Sequence, residues 1–216
     1  MDHGSPPPRA AFTRREWEII QEHRTPKQVQ QFLRSLRYNH ERLGETLRSF
    51  REIVKIGEVH CLEAALTATV IMEQHGYPPL VMSLESQDNL DHVIFVFRRR
   101  GRWGAVARSR DFGLHGRRPV FRSIRDLVWS YYPPYVDWTG MITGYTVADL
   151  REMGNYDWRL NDRNMWKVEK FLIDYPHKRL RSSRRRYREL LAEFKEFRQA
   201  HPTGPADYYP GQERWM

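Results

Sequence analysis

The chain has 216 residues, 40% of them apolar, with seven Trp, eleven Tyr and ten Phe, which is too aromatic for a disordered protein and enough for one domain with a sizeable core. Its formal net charge of +9 favours acidic partners but also suits an ordinary solvated surface. A single cysteine excludes an internal disulfide, and no CxxC or Cys/His cluster offers a zinc site.

Residues 1–11 are polar and Pro-rich, without the apolar region of a signal peptide, and read as a disordered tail. No apolar run approaches the length of a membrane span, so a cytoplasmic setting is expected, where a lone thiol stays reduced. A short amphipathic helix follows over 15–23, around Trp17, Ile19 and Ile20. Thr25-Pro26 then signals a helix start, with Thr as N-cap and Pro at the first helical position. Val29, Phe32, Leu33 and Leu36 make the apolar face of that helix. Another helix is expected over 45–55, ended by Gly57.

The stretch 61–75 reads as the most buried helix, because its apolar residues leave almost no polar side. Gly76 and Pro78-Pro79 stop it. The period then shortens, and 80–84, 92–97 and 102–107 read as strands, the last two joined by a basic Arg-Arg-Gly turn into a hairpin. Ser123 with Asp126 resembles a capping box and opens a helix that Pro133-Pro134 should end. The segment 135–161 is expected to be ordered but irregular, with a short helix after Thr146. Its aromatics, together with Tyr131 and Tyr132, either line a groove or simply pack. Two more helices are expected, over 163–174 and 184–200, and the residues from 202 read as a loose tail. Strands clustered between two groups of helices argue for an α+β fold.

Three polar residues fall at chemically informative places. Cys61 opens the buried helix, His92 opens a strand, and Asp111 follows the next strand. A thiol at a helix N-terminus meets the positive end of the dipole and unpaired N–H groups, which favour thiolate and can stabilise an oxyanion. An imidazole on a neighbouring strand can take the thiol proton, and a carboxylate can fix its tautomer. Glu58 and Glu63 flank the cysteine and would raise its pKa. His60 is expected to face away from it, since adjacent helical residues point about 100° apart. His75 and His115 read as surface residues.

Cys61 at a helix start, His92 in the run Asp91-His92-Val93-Ile94-Phe95-Val96-Phe97, and the following Gly101-Arg102-Trp103-Gly104-Ala105-Val106 together resemble the transglutaminase-like superfamily. That resemblance implies a papain/transglutaminase-like fold, with a central helix packed on a small antiparallel sheet and helical extensions at both ends. The domain would span 12–175, followed by a basic helical extension over 176–201 and the tail 202–216. It implies acyl transfer or amide hydrolysis of a peptide, protein or other amide substrate, with Cys61 as nucleophile, His92 as general base and acid, and no cofactor. The backbone N–H of Cys61 would form part of the oxyanion hole. Asp111 is the expected orienting carboxylate, with Asp88, Asn89 and Asp91 as alternatives. Some members of the superfamily are non-catalytic binding modules, and that is the alternative reading. Nucleic acid could then meet the basic run at Arg181, Arg184, Arg185 and Arg186, although an exposed helix start explains the same residues.

Overall fold

The run His92–Phe97 is apolar at every position after its histidine, which a strand can afford only if both of its faces are covered. The computed structural model describes residues 4–89 and 91–203 and shows that arrangement. Eight strands are described: β1 (Arg37–Tyr38), β2 (Glu58–Val59), β3 (Leu80–Ser86), β4 (His92–Arg99), β5 (Arg102–Val106), β6 (Arg117–Phe121), β7 (Ile142–Asp149) and β8 (Lys178–Arg179). The last six form one antiparallel sheet in the order β6-β5-β4-β3-β7-β8, while β1 and β2 make a short parallel pair. The helices are α1 (Arg14–Glu22), α2 (Pro26–Ser35), α3 (Phe50–Ile56), α4 (Cys61–Glu73), α5 (Ile124–Tyr135), α6 (Trp166–Asp174) and α7 (Arg184–Ala200). The architecture is α+β, as expected, but the sheet has six strands where three were read.

Strand alternation sorts the core into two layers. Val93, Phe95 and Phe97 of β4 join the layer built with α4, while Ile94 and Val96 face a second layer with Leu127, Val128 and Tyr131 of α5. Helix α4 is buried along its whole length after Cys61, between the sheet and helices α1, α2 and α3. Its two buried carboxylates are satisfied. Glu63 accepts from Thr46 Oγ1 at 2.9 Å and from the backbone N–H groups of Arg48 and His60 at 3.0 Å each. Glu73 takes two bonds from Arg159, at 2.7 and 2.6 Å.

Local signals explain most helix ends. Thr25 caps α2 with Pro26 behind it, Ser123 and Asp126 form a reciprocal capping box on α5, and Gly57 ends α3 at φ 75°. Several expectations are corrected. Helix α3 starts at Phe50 rather than 45, because Ser49 supplies the N-cap by accepting from Glu52 N. The short helix expected after Thr146 is instead strand β7, paired with β3 from Leu80↔Asp149 to Ser86↔Ile142; only a 3-10 turn, Leu150–Met153, follows it. Strand β6 falls in a stretch to which the sequence reading assigned no element. The segment before residue 12 is partly built, with a 3-10 turn over Arg9–Ala11 and a bond from Gln74 Nε2 to the Pro7 carbonyl at 3.0 Å. The expected loose tail lies outside the described residues from 204 onward.

Pro133 and Pro134 do not end α5, which continues to Tyr135. A proline at 134 removes the N–H that would bond the Ser130 carbonyl. Arg117, fully buried on β6, donates to that oxygen from Nη2 at 3.2 Å. The same guanidinium donates to the carbonyls of His115 at 2.7 Å and Gly113 at 2.6 Å. It therefore ties the last turn of α5 to the 113–117 segment.

Candidate active site

Cys61 is half-buried as the first residue of α4 and lines a cleft of ≈ 570 Å³ together with His60 and His92. Its Sγ lies 4.0 Å from the carbonyl oxygen of Asp91, the residue just before β4. His92 opens β4 and is buried, with its ring edge-on to Tyr131. Its Nε2 sits 2.8 Å from the carbonyl oxygen of Leu114. A carbonyl can only accept, so Nε2 carries a hydrogen and the neutral ring offers its lone pair at Nδ1. Both Cys61 and His92 thus reach the cleft, as the sequence led one to expect.

Asp111 does not orient the histidine. Strand β5 ends at Val106, and the chain then turns through a 3-10 segment, Phe112–Leu114, whose last carbonyl takes the position at Nε2. The Asp111 carboxylate lies on the cleft wall, 3.5 Å from Arg110 Nε. The alternatives are engaged elsewhere. Asp91 accepts from Ser86 N at 3.0 Å, and Asp88 accepts from the hydroxyls of Ser86 and Thr139, both at 2.5 Å. Asn89 is a turn residue at φ 61°.

His60 is corrected from a bystander to a neighbour of the thiol. As N-cap of α4 it has extended backbone angles, φ −96° and ψ −175°, so the helical 100° step does not govern its direction. Its Nε2 lies 2.8 Å from the Thr46 carbonyl and 3.6 Å from Glu63 Oε1, and its Nδ1 lies 3.3 Å from Leu62 N. A histidine followed by glutamate three residues on, just before an apolar run, was the available signal for this cap.

The electrostatics follow from these contacts. Burial alone would raise the Cys61 pKa, but the imidazoles of His60 and then His92 beside the sulfur lower it to about 5. Burial likewise opposes a charge on His60, yet its contacts with Cys61, Glu63 and the Thr46 carbonyl raise its pKa to about 9. His60 Nδ1 accepts the Leu62 N–H only in the neutral ring, so a charge on His60 that favours the Cys61 thiolate gives up this cap bond. The flanking carboxylates are engaged with other groups: Glu58 is turned to Arg37 Nη2 at 3.0 Å, and Glu63 is held by the donors described above.

The rest of the cleft wall is acidic. Glu41, Glu45, Asp88, Asp91, Asp111, Asp137 and Glu169 line it against one arginine, Arg110, although the whole chain is positive. Tyr135 and Trp166 add aromatic surface. Tyr131 and Tyr132 are fully buried and pack rather than line a groove. His115, expected at the surface, is buried between Arg34 Nε at 3.3 Å and Arg108 Nη1 at 3.1 Å, and burial drives its pKa down to about 4.

Two of the four arginines named in the basic C-terminal run are occupied at home. Arg185 pairs with Glu189 at 2.7 Å, and Arg186 stacks over Trp129 and Tyr132 at 4.5 and 5.4 Å. Among the described residues no helix is long and apolar enough to cross a membrane. No protein-family model matches the chain, and no curated protein matches its sequence.

Proposed function

We propose that the chain is a transglutaminase-like, papain-type thiol protein that performs acyl transfer or amide hydrolysis with Cys61 as nucleophile and His92 as general base and acid. One observation carries the reading: the His92 ring, its Nε2 fixed by the Leu114 carbonyl at 2.8 Å, lines the same cleft as the helix-start thiol of Cys61, whose pKa the neighbouring imidazoles lower. Such a pair supplies thiolate at neutral pH and a nitrogen oriented to move its proton.

The thiolate attacks the carbonyl carbon of an amide, and the oxygen becomes an oxyanion near the first turn of α4. There the backbone N–H groups, that of Cys61 included, have no helical carbonyl to bond. The thiol proton taken up by His92 passes to the leaving nitrogen, the C–N bond breaks, and an acyl-thioester remains. Water or an amine, deprotonated by His92, then attacks the thioester and returns the thiolate. His60 adds a second positive neighbour for the sulfur. The acidic wall favours an amide substrate that carries positive charge.

The test is labelling by an acyl-directed thiol probe together with turnover of a peptide amide library. Cys61→Ala should abolish both, and His92→Ala should abolish turnover while leaving the thiol alkylatable. Labelling that survives loss of Cys61 sinks the reading. A binding module on the same fold would hold its ligand equally well without Cys61.

A further inference from the structure

The far end of β4 carries a second, differently built feature. Strands β4 and β5 are joined by a two-residue turn, Arg100 at φ 49° and Gly101 at φ 74°. Such a turn favours Asn-Gly or Gly-Gly, because positive φ is strained for a side chain as long as arginine. Across the turn Arg99 pairs in register with Arg102, and like charges directly opposite one another repel. Trp103 of β5 pairs with Phe121 of β6, and Arg122 follows Phe121 at the step beside Arg102. Arg99 and Arg102 thus face each other at the ends of two paired strands whose main chains lie about 4.8 Å apart, Arg122 is the residue just after β6, and Arg98 and Arg100 flank them in the chain. Among the described residues none of these five makes an ion pair; Arg98 lies over the Trp103 ring at 5.9 Å. Fold stability alone would select against both the positive-φ arginine and the like-charged pair.

We infer that this arginine-lined hairpin end is a binding surface for the phosphate backbone of nucleic acid. The guanidinium forks phosphate oxygens with paired N–H donors, and a cluster of them can meet successive phosphates of one strand. The one large apolar side chain exposed beside these arginines among the described residues is Val120 on β6, and a single valine is less than insertion into a bilayer needs. The surface is also remote from the thiol. Seven strand steps separate Arg99 from His92, about 24 Å. Binding here leaves the cleft open and does not depend on the function proposed for Cys61.

The test is fluorescence anisotropy of a labelled single-stranded DNA oligonucleotide of mixed sequence, titrated with the full chain at several salt concentrations. Replacing Arg99, Arg102 and Arg122 by Gln should weaken binding and reduce the slope of log affinity against log salt by about 2. The rate of Cys61 alkylation should stay unchanged and so report an intact fold. Arg100→Gly separates binding from folding, because it relieves a positive φ while removing a charge; the variant should melt higher yet bind more weakly. Cys61→Ala should bind as the parent chain does. The inference is overturned if the parent chain fails to bind, if the triple variant keeps the salt slope, or if binding is lost only on changing Arg181, Arg184 and Arg185 to Gln. Capture by phosphatidylserine vesicles without binding of the oligonucleotide overturns it as well.

Discussion

Arg117 donates to the Ser130 carbonyl oxygen, the acceptor left without a helical donor by Pro134. Because the same guanidinium holds the Gly113 and His115 carbonyls, it braces the turn from which Leu114 reaches His92. Arg117→Met should therefore leave several buried carbonyls unmet, at about 1–3 kcal/mol each, and a urea titration should show a loss in that range or larger. The informative readout is the alkylation profile of Cys61. If the turn depends on Arg117, the folded variant should show a higher midpoint pH. A profile identical to the parent's would mean that the turn holds itself.

The thiol should ionise far below the ordinary range. Alkylation by iodoacetamide across pH should rise with a midpoint near 5 and be nearly flat at neutral pH. A second change is expected near 9, where His60 loses its proton. His60→Gln should move the first midpoint upward and erase the second. A parent midpoint above 8 would contradict the pairing.

The same pair sets a window of stability. Cys61 has a lowered pKa, so its contribution is present above the unfolded value and is lost as pH falls through about 5. His60 has a raised pKa, so its contribution is present below the unfolded value and is lost as pH rises through about 9. From about 5 up to the ordinary histidine value of 6.5 only the Cys61 term acts and stability rises with pH; from there to about 9 the Cys61 and His60 terms oppose and cancel. Thermal melts of the parent and Cys61→Ala should therefore converge below about 5 and keep a level separation from neutral pH upward.

Gly104 sits where β5 passes under β6. A Cβ added there would meet Phe97 Cζ at 2.7 Å, the Arg117 carbonyl oxygen at 2.8 Å and Pro119 N at 2.9 Å. Two of those atoms are backbone and cannot swing aside. Gly104→Ala should cost about 1–3 kcal/mol in urea unfolding, as overpacking does. Retention of full stability would show that β6 can shift outward.

Glu73 and Arg159 form a bidentate pair almost closed to solvent at the C-terminal end of α4. Arg159→Met leaves a carboxylate buried without that partner and should destabilise the fold by about 3–5 kcal/mol. Replacing both residues by apolar ones should recover much of that loss. The Cys61 alkylation midpoint should not move, because the thiol is at the other end of the helix.

What the sequence made legible was local. The caps at Thr25 and Ser123, the glycine stops at 57 and 76, and the apolar run of β4 each carry their reason within a few residues. Strand β7 was hidden because its order comes from pairing with β3, more than fifty residues earlier, and because Gly144 and two threonines weaken its pattern. The direction of His60 was misjudged by treating an N-cap as a helical residue. Asp111 was expected beside His92 from the resemblance alone, and the chain leaves the sheet after Val106 and turns through Phe112–Leu114 before a carboxylate could take that place.

The group that orients His92 is a main-chain oxygen, and this has a consequence for how such a site can change over generations. No single side-chain replacement at Leu114 deletes the acceptor, since every amino acid brings the same carbonyl. The residues around it are free to drift so long as the path of the turn is kept. A search for a third acidic letter would then pass over the site, because its constraint lies in the curvature of the chain held by Arg117 and not in the identity of any residue that touches the imidazole.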